Sequence, residues 1–396
     1  MKTYTSLQEL IHSFRSNQNN VGVLCNQTAF VFEQRRYLIE VLAEKKVLKT
    51  VFVPEHGLFS ELQDQEPLET TQAYSFWKDV AFVSLYGRDE QSLKAAPALL
   101  EELDAIVVDI QDVGCRYFTY LTTMAYLFET LSRCTHPPRI WIIDHPNPAG
   151  RQVEGTPISR DYASFIGHQG LPHRHGLTLG ELALWLKQYY AADFELNTLL
   201  PPYNDFYFQI FPSPNFPSLQ TAHLYSGQCL FEATILSEGR GTTRPFEIVG
   251  APFLEWHQLQ RIKRDFEKQT DDLPWVNYVL RPLQFIPTFH KYANELCGGF
   301  QVHLSHTEKS HSLLSSLILL RIFNEYVPDL WRQGPYEKGN SRTALEILGG
   351  DSLLIDFVQG KEELKATIAY LKNAEKEWIQ SVQGMANEAL FVLPLS

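Results

Sequence analysis

Carboxylates and amides recur in this chain where short apolar runs end. Val51-Phe-Val-Pro-Glu-His-Gly57 is a β-branched and aromatic run that stops at a proline and delivers Glu55 and His56 into a turn closed by Gly57. Asn26 follows the run Val21–Cys25, Asp109 closes Ala105-Ile-Val-Val-Asp109 with Asp112 three residues further on, and Asp144 follows Ile140-Trp-Ile-Ile143. Glycoside hydrolysis needs such groups: a protonated carboxyl to protonate the leaving oxygen, and a second carboxylate to activate water or attack the anomeric carbon. Glu55 is the leading candidate for the acid, because burial near an apolar strand end favours the protonated form of a carboxyl group. Asp109 and Asp112 are the candidates for the second carboxylate. Plainer roles compete with both: a Glu after a strand often caps the next helix, and two Asp residues in one turn suit hydrogen bonding to Arg116.

The elements that must position these residues are strands alternating with helical segments. An amphipathic helix is expected over 5–15, strands at 21–25, 51–53, 80–87, 105–109 and 140–143, and helices over 35–45, 92–103, up to about 133, and from a capping box at Thr178 and Glu181. Continuous apolar strands between helices predict a Rossmann-like open parallel sheet, covered on both faces, whose ligands bind beyond the carboxyl ends of the strands. One rim would then gather Asn26, Glu55, Asp109, Asp112 and Asp144. The proline-rich and aromatic stretch 200–218 cannot be helix. The boundary is placed just beyond it, giving a catalytic domain over 1–222 and a smaller auxiliary α+β domain over 223–396. In that second part, Leu230–Leu236 and Phe300–Leu304 read as strands and 313–326 and 361–381 as helices.

Further candidates carry plainer readings beside the functional one. Arg116, Arg240 and Arg244 have guanidinium forks suited to a substrate carboxylate, and the glycines of Ser237-Glu-Gly-Arg-Gly-Thr-Thr-Arg-Pro-Phe-Glu247 allow close backbone approach. An internal ion-pair network among Glu238, Arg240, Arg244 and Glu247 explains the same segment. Tyr117 and Tyr120 are packing residues or the lining of a sugar platform. The His173/His175 pair lacks a third ligand at metal-site spacing and reads as structural, so no metal is expected. The turn after the first strand has no glycine fingerprint and the chain has no phosphate loop, so no nucleotide cofactor is expected.

Composition bounds the rest. The 396 residues carry a formal net charge of −12, which excludes a basic nucleic-acid footprint. Five scattered cysteines without a C-x-x-C pair read as reduced thiols. The first residues lack a leader-like apolar run and no stretch is long enough to span a bilayer, so the expectation is a cytoplasmic protein without a membrane partner, or an exported one if a leader has been trimmed. Oligomeric state is not legible.

Taken in order, Asn26-Gln-Thr28, Pro54-Glu-His-Gly57, Asp109-Ile-Gln-Asp-Val-Gly114, Arg116-Tyr-Phe-Thr-Tyr120, Asp144-x-Pro-Asn-Pro148, Arg174-His-Gly-x-Thr178, Pro212-Ser-Pro-Asn215 and Ser237–Glu247 resemble the NamZ-type exo-β-N-acetylmuramidases. The resemblance implies a Rossmann-like catalytic domain, an auxiliary C-terminal domain, no nucleotide cofactor, and removal of N-acetylmuramic acid from the non-reducing ends of peptidoglycan fragments. The family's glutamate in this motif falls on Glu55. The lactyl carboxylate of that sugar gives the arginines a purpose. Three positions depart from the family pattern: His145 stands for an Arg, Glu232-Ala-Thr-Ile235 for Glu-Gly-Thr-Asn, and Ala29 for a Gly. The first two bear on substrate choice, and they leave a catalytically silent muropeptide- or sugar-binding protein as the alternative.

Overall fold

Six apolar runs in the first half form one parallel sheet. The computed structural model describes residues 4–61, 77, 80–86, 93–200, 210–337 and 340–393. The sheet strands are β1 (Val21–Cys25), β4 (Leu48–Val53), β5 (Ala81–Ser84), β6 (Ala105–Asp109), β7 (Arg139–Ile143) and β8 (Leu196–Leu199), with a two-stranded ribbon of β2 (Phe30–Val31) and β3 (Arg36–Tyr37) beside them. Their order is β5-β4-β1-β6-β7-β8 and every pairing is parallel. The chain thus winds outward from β1 in one direction and then from β6 in the other, so the order reverses between β1 and β6. The rim crevice of a doubly wound sheet lies at that point.

Central strands β1 and β6 are buried along their whole length, as continuous apolar runs must be when both faces are covered. Gly22 lets Leu103 pack close on β1: a Cβ there would stand 2.7 Å from Leu103 Cδ1 and make that side chain shift. The connecting helices are α1 (Leu7–Ser13), α2 (Leu38–Glu44), α3 (Pro97–Glu101), α4 (Thr119–Leu131) and α5 (Leu179–Tyr189). The expected capping box is present on α5, with Thr178 accepting from Glu181 N and Glu181 reaching back. α3 is shorter than the expected 92–103, since Pro97 fixes its first turn. β8 had no sequence signal: Leu196–Leu199 has one buried residue in four. Part of the expected strand 80–87, the acidic loop after Glu61 and the Pro201-Pro-Tyr203 segment lie outside the described residues.

The chain separates into two compact units that are not contiguous in sequence. One holds 1–113, 119–147 and 177–214, and therefore the parallel sheet. The other holds 114–118, 148–176 and 215–396. This second unit has an antiparallel sheet of order β10-β11-β9, made of β9 (Ile248–Ala251), β10 (Tyr278–Phe285) and β11 (Cys297–Leu304). Its helices are α6 (Leu219–Gln228), α7 (Trp256–Thr270), α8 (Ser312–Tyr326), α9 (Ala344–Gly349), α10 (Ser352–Val358) and α11 (Leu364–Val382). α8 is buried on nearly every side and forms the core. α6 packs on it through Gly227, where a Cβ would fall 2.2 Å from Ser312 O.

The expected strand Leu230–Leu236 is instead a 3₁₀ turn over Cys229–Ala233. Thr234 closes it, its Oγ1 donating to Phe231 O at 2.7 Å and its N–H to the same carbonyl at 3.0 Å. A fully buried apolar run has no period, so strand and helical turn look alike in sequence.

Candidate functional site at the rim of the parallel sheet

Glu55 sits two residues beyond β4 and is 7% exposed. Its Oε2 accepts a short hydrogen bond from Thr119 Oγ1, the first residue of α4. The backbone at this turn is unusual: His56 has φ 73° and Gly57 φ 89°. A non-glycine residue in the left-handed region carries strain that surrounding structure must hold, and such residues cluster at functional sites. Here the strained peptide brings the Glu55 carboxyl to Thr119 at the start of α4. His56 itself is partly exposed beside it.

Asn26, expected to touch substrate, holds the rim together instead. It is 1% exposed; its Nδ2 donates to Tyr120 Oη at 2.8 Å and to Pro212 O at 3.1 Å, while its Oδ1 accepts from Thr28 N at 3.1 Å and Thr28 Oγ1 at 2.7 Å. Both amide donors and both acceptor lone pairs are therefore used. Tyr120 is fully buried, and its hydroxyl donates to Pro212 O at 2.8 Å, so its ring offers no platform for a sugar. Ser60 Oγ donates to the same carbonyl at 3.0 Å. The Pro212 carbonyl thus collects three donors and ties the segment after β8 to the ends of β1 and β4.

Asp109 closes β6 directly opposite Cys25 of β1, on the reversal point of the sheet. Its carboxylate Oδ1 lies 2.7 Å from His145 Nε2. Burial, with the Asp109 charge adding to it, pushes the Cys25 thiol well above its usual range. Asp112 is buried nearby in the sequence, on the turn that Gln111 Nε2 closes by donating to the Asp112 carbonyl at 2.7 Å. Asp144 does not stand free for a ligand: its Oδ1 accepts from Gly180 N at 2.7 Å, at the start of α5. Burial raises the Asp144 carboxyl, and that N–H bond partly offsets the rise. Gly180 is needed there, since a Cβ would lie 2.7 Å from Asp144 Cγ.

In the second unit Arg116 is surrounded by its own chain. It has no exposed surface. Nη1 donates to Thr156 O (2.8 Å) and Leu171 O (3.4 Å), and Nη2 to Leu348 O (3.1 Å) and Gly349 O (2.9 Å). Four carbonyls consume the fork, so Arg116 binds its own chain and not a substrate carboxylate. Burial pushes its pKa down to about 10, leaving it charged at neutral pH. His173 lies against it; Thr156 N donates to Nδ1 at 3.3 Å, which leaves Nε2–H to face Gly349 O at 3.1 Å. Burial and then Arg116 hold that imidazole well below its ordinary pKa, so it stays neutral. Tyr117 is also buried, its hydroxyl donating to Ser226 O at 3.1 Å, and it too is a packing residue.

The Ser237–Glu247 segment forms two internal ion-pair groups. Arg240 Nη2 meets Glu232 at 2.8 Å and its Nε meets Glu238 at 3.5 Å, with Phe246 under the guanidinium. Glu238 is engaged further by Lys291 Nζ at 2.8 Å and His290 Nδ1 at 3.1 Å. Burial pushes the Glu238 carboxyl up, but Lys291, His290 and Arg240 more than offset it and hold it well below the carboxylate range. Glu247, fully buried, accepts from Ser218 Oγ (2.8 Å), Thr221 Oγ1 (2.6 Å) and Arg244 Nη1 (3.3 Å). Arg244 is 48% exposed and is the arginine of this segment with most surface left for a ligand.

Sequence reasoning passed over Thr119, which lies within the Arg116–Tyr120 motif but drew no role, and Lys291, His290 and Glu232, whose meeting with the Ser237–Glu247 loop no spacing foretells.

A doubly wound parallel sheet with carboxylates at its strand ends, together with a second unit built on an antiparallel sheet, defines a two-domain α/β protein. Family models described as exo-β-N-acetylmuramidase NamZ, N-terminal, and exo-β-N-acetylmuramidase NamZ, C-terminal, match residues 21–220 and 223–386. The chain belongs to this glycoside hydrolase family. It is 30% identical over 377 residues to the peptidoglycan β-N-acetylmuramidase NamZ of Bacillus subtilis (strain 168), covering 89% of this chain and 86% of that one. Two crystal structures of DUF1343 family proteins from Bacteroides fragilis NCTC 9343 are similar, each with TM-score 0.68. One is 22% identical, covering 96% of this chain and 95% of the other, and the second is 26% identical with 94% of both covered.

Proposed function

We propose that this protein is an exo-acting β-N-acetylmuramidase that releases N-acetylmuramic acid from the non-reducing ends of peptidoglycan fragments, with Glu55 as its general acid/base. The observation that carries the reading is the nearly dry Glu55 carboxyl, presented by a strained turn to Thr119 at the rim of the sheet. Protonated Glu55 gives its proton to the glycosidic oxygen as the bond to the anomeric carbon breaks, and water supplies the hydroxyl of the released sugar. A second carboxylate, Asp109 or Asp112, activates that water or takes the anomeric carbon. His56, next to Glu55, keeps exposed surface for substrate. Family membership and the Bacillus relative's name support the substrate class. Fragments of this kind arise when cell wall is turned over, and the activity proposed here belongs to their recycling.

The test is product analysis with a β-linked N-acetylmuramic acid–N-acetylglucosamine disaccharide. Wild type is expected to release both monosaccharides, and Glu55→Gln to keep its fold while losing about 10²- to 10⁴-fold in kcat. Near-normal turnover by Glu55→Gln overturns its assignment as the acid.

A further inference from the structure

Two neighbouring strand ends deliver a carboxylate and an imidazole to the same place. β6 ends in Asp109 and β7, paired with it in parallel, is followed by Asp144 and His145. The His145 backbone is fixed on both sides: its N–H donates to Ile143 O at 3.0 Å and its carbonyl accepts from Leu179 N at 3.4 Å, in the first turn of α5. The neighbouring Asp144 carboxylate is tied to Gly180 N in that same turn. The imidazole is therefore anchored, and its Nε2 lies 2.7 Å from Asp109 Oδ1, the length of a charge-assisted hydrogen bond. Asp109 is 4% exposed, and His145 is its hydrogen-bond partner among the described residues. His145 Nδ1 has no partner there, and the side chain is 17% exposed.

We propose that His145 is a positioning residue: by donating Nε2–H it holds the Asp109 carboxylate at the reversal point of the sheet, and so makes Asp109, not Asp112, the carboxylate that assists Glu55. The inference rests on the glycosidase reading above. The strand order supports the pairing of Asp109 with Glu55: Asp109 closes β6 opposite Cys25 and Glu55 follows the end of β4 by two residues, on the two strands that flank β1, which stand two strand spacings apart, about 9.6 Å. Two carboxyl side chains reaching from such backbones can flank one glycosidic bond.

A consequence separates this arrangement from a passive contact. A buried Asp with Nε2–H as donor fixes the imidazole as the Nε2–H tautomer when neutral, leaving Nδ1 as an acceptor, and protonation at Nδ1 takes the pair from net −1 to zero. Asp144, which feels both His145 and Glu181, and Cys25, which feels Asp109, are the neighbouring titratable groups among the described residues.

The test compares His145→Ala, His145→Gln and His145→Arg on the disaccharide, across pH 5 to 9 or so, with kcat and KM separated. His145→Ala is expected to lose about 10- to 100-fold in kcat with KM little changed, as a lost hydrogen bond to a charged group implies. His145→Gln, whose amide can still donate, should recover most of kcat but lose the imidazole's limb of the pH profile. His145→Arg should also lose that limb, since its charge does not titrate in this range. A His145→Ala enzyme with wild-type kcat and pH profile overturns the proposal, as does a rise in KM alone, which would make His145 a substrate contact. Long-range ¹H–¹⁵N spectra of the wild-type imidazole give a readout independent of turnover. The Nε2–H tautomer should dominate, and the Nε2 and Nε2–H resonances should shift in Asp109→Ala. If wild type splits no disaccharide, the glycosidase reading fails while the tautomer still decides the His145–Asp109 contact.

Discussion

Arg116→Lys is the sharpest way to separate a structural arginine from a ligand-gripping one. The guanidinium places four N–H donors on the carbonyls of Thr156, Leu171, Leu348 and Gly349, which come from three separate stretches of the second unit. A lysine ammonium is a single point on a flexible stem and cannot serve both sides of that ring of carbonyls. At least two of them lose their donor in a fully buried setting. At about 1–3 kcal/mol for each orphaned group, the expected loss is about 4 kcal/mol. In a unit of this size that lowers the melting temperature by about 10 °C, read by calorimetry or near-UV circular dichroism. KM for the disaccharide, measured well below the transition, should change little. A melting temperature within about 2 °C of wild type together with a roughly tenfold higher KM would refute the reasoning and return Arg116 to the substrate site.

Other expectations follow from the same geometry. Thr119→Val removes the hydroxyl that donates to Glu55 while keeping its shape, and should lower kcat by about 5- to 30-fold with the melting temperature nearly unchanged; an unaltered kcat would deny that bond a part in catalysis. Gly227→Ala drives a methyl group into Ser312 O on α8, and denaturant titration should show a loss of about 3 kcal/mol. Stability should also depend on pH through the buried group formed by Glu154, Arg174, His311 and Glu375, in which His311 Nε2 lies 2.9 Å from Glu375 and Glu154 Oε1 lies 2.7 Å from Arg174 Nη1. Burial pushes His311 down, but Glu375 and Glu154 more than offset it, so its folded pKa lies above the unfolded one. That contribution is complete below the unfolded histidine pKa and is lost as pH rises through the raised folded value. Glu375, raised chiefly by burial, adds a loss of the same sign. Melting temperature should therefore fall from neutral toward alkaline pH, and His311→Gln should flatten the fall; an equally steep fall in the variant removes His311 as its cause.

Much of the first unit was legible because its physics is local. Val21–Cys25, Val51–Val53, Ala105–Asp109 and Ile140–Ile143 are apolar runs too short for helices and bounded by breakers, and parallel pairing buries them on both faces. The capping box at Thr178 and Glu181 is a contact over three residues, so sequence contains it whole. The second unit was less legible. Leu230–Leu236 has the composition of a strand but closes as a turn through Thr234, and the strand Ile248–Ala251 and helix Trp256–Thr270 carried no expectation at all.

For the site, sequence alone determined which chemistry was on offer and that carboxylates stand at strand ends, because a strand's end and a residue's type are both local properties. It did not decide which polar side chains keep a free valence. Arg116, Tyr117, Tyr120, Asn26 and Asp144 have the right types and a plausible spacing, yet each is spent on the protein's own carbonyls, hydroxyls or helix ends. Glu55, Asp109 and His145 were brought to one rim by strand order, and their partners by the fold, contacts spanning 64 residues for Thr119–Glu55 and 36 for His145–Asp109. A buried polar group must find its partner wherever the fold puts one, so only the tertiary structure divides the groups that hold the site from those left to do its chemistry.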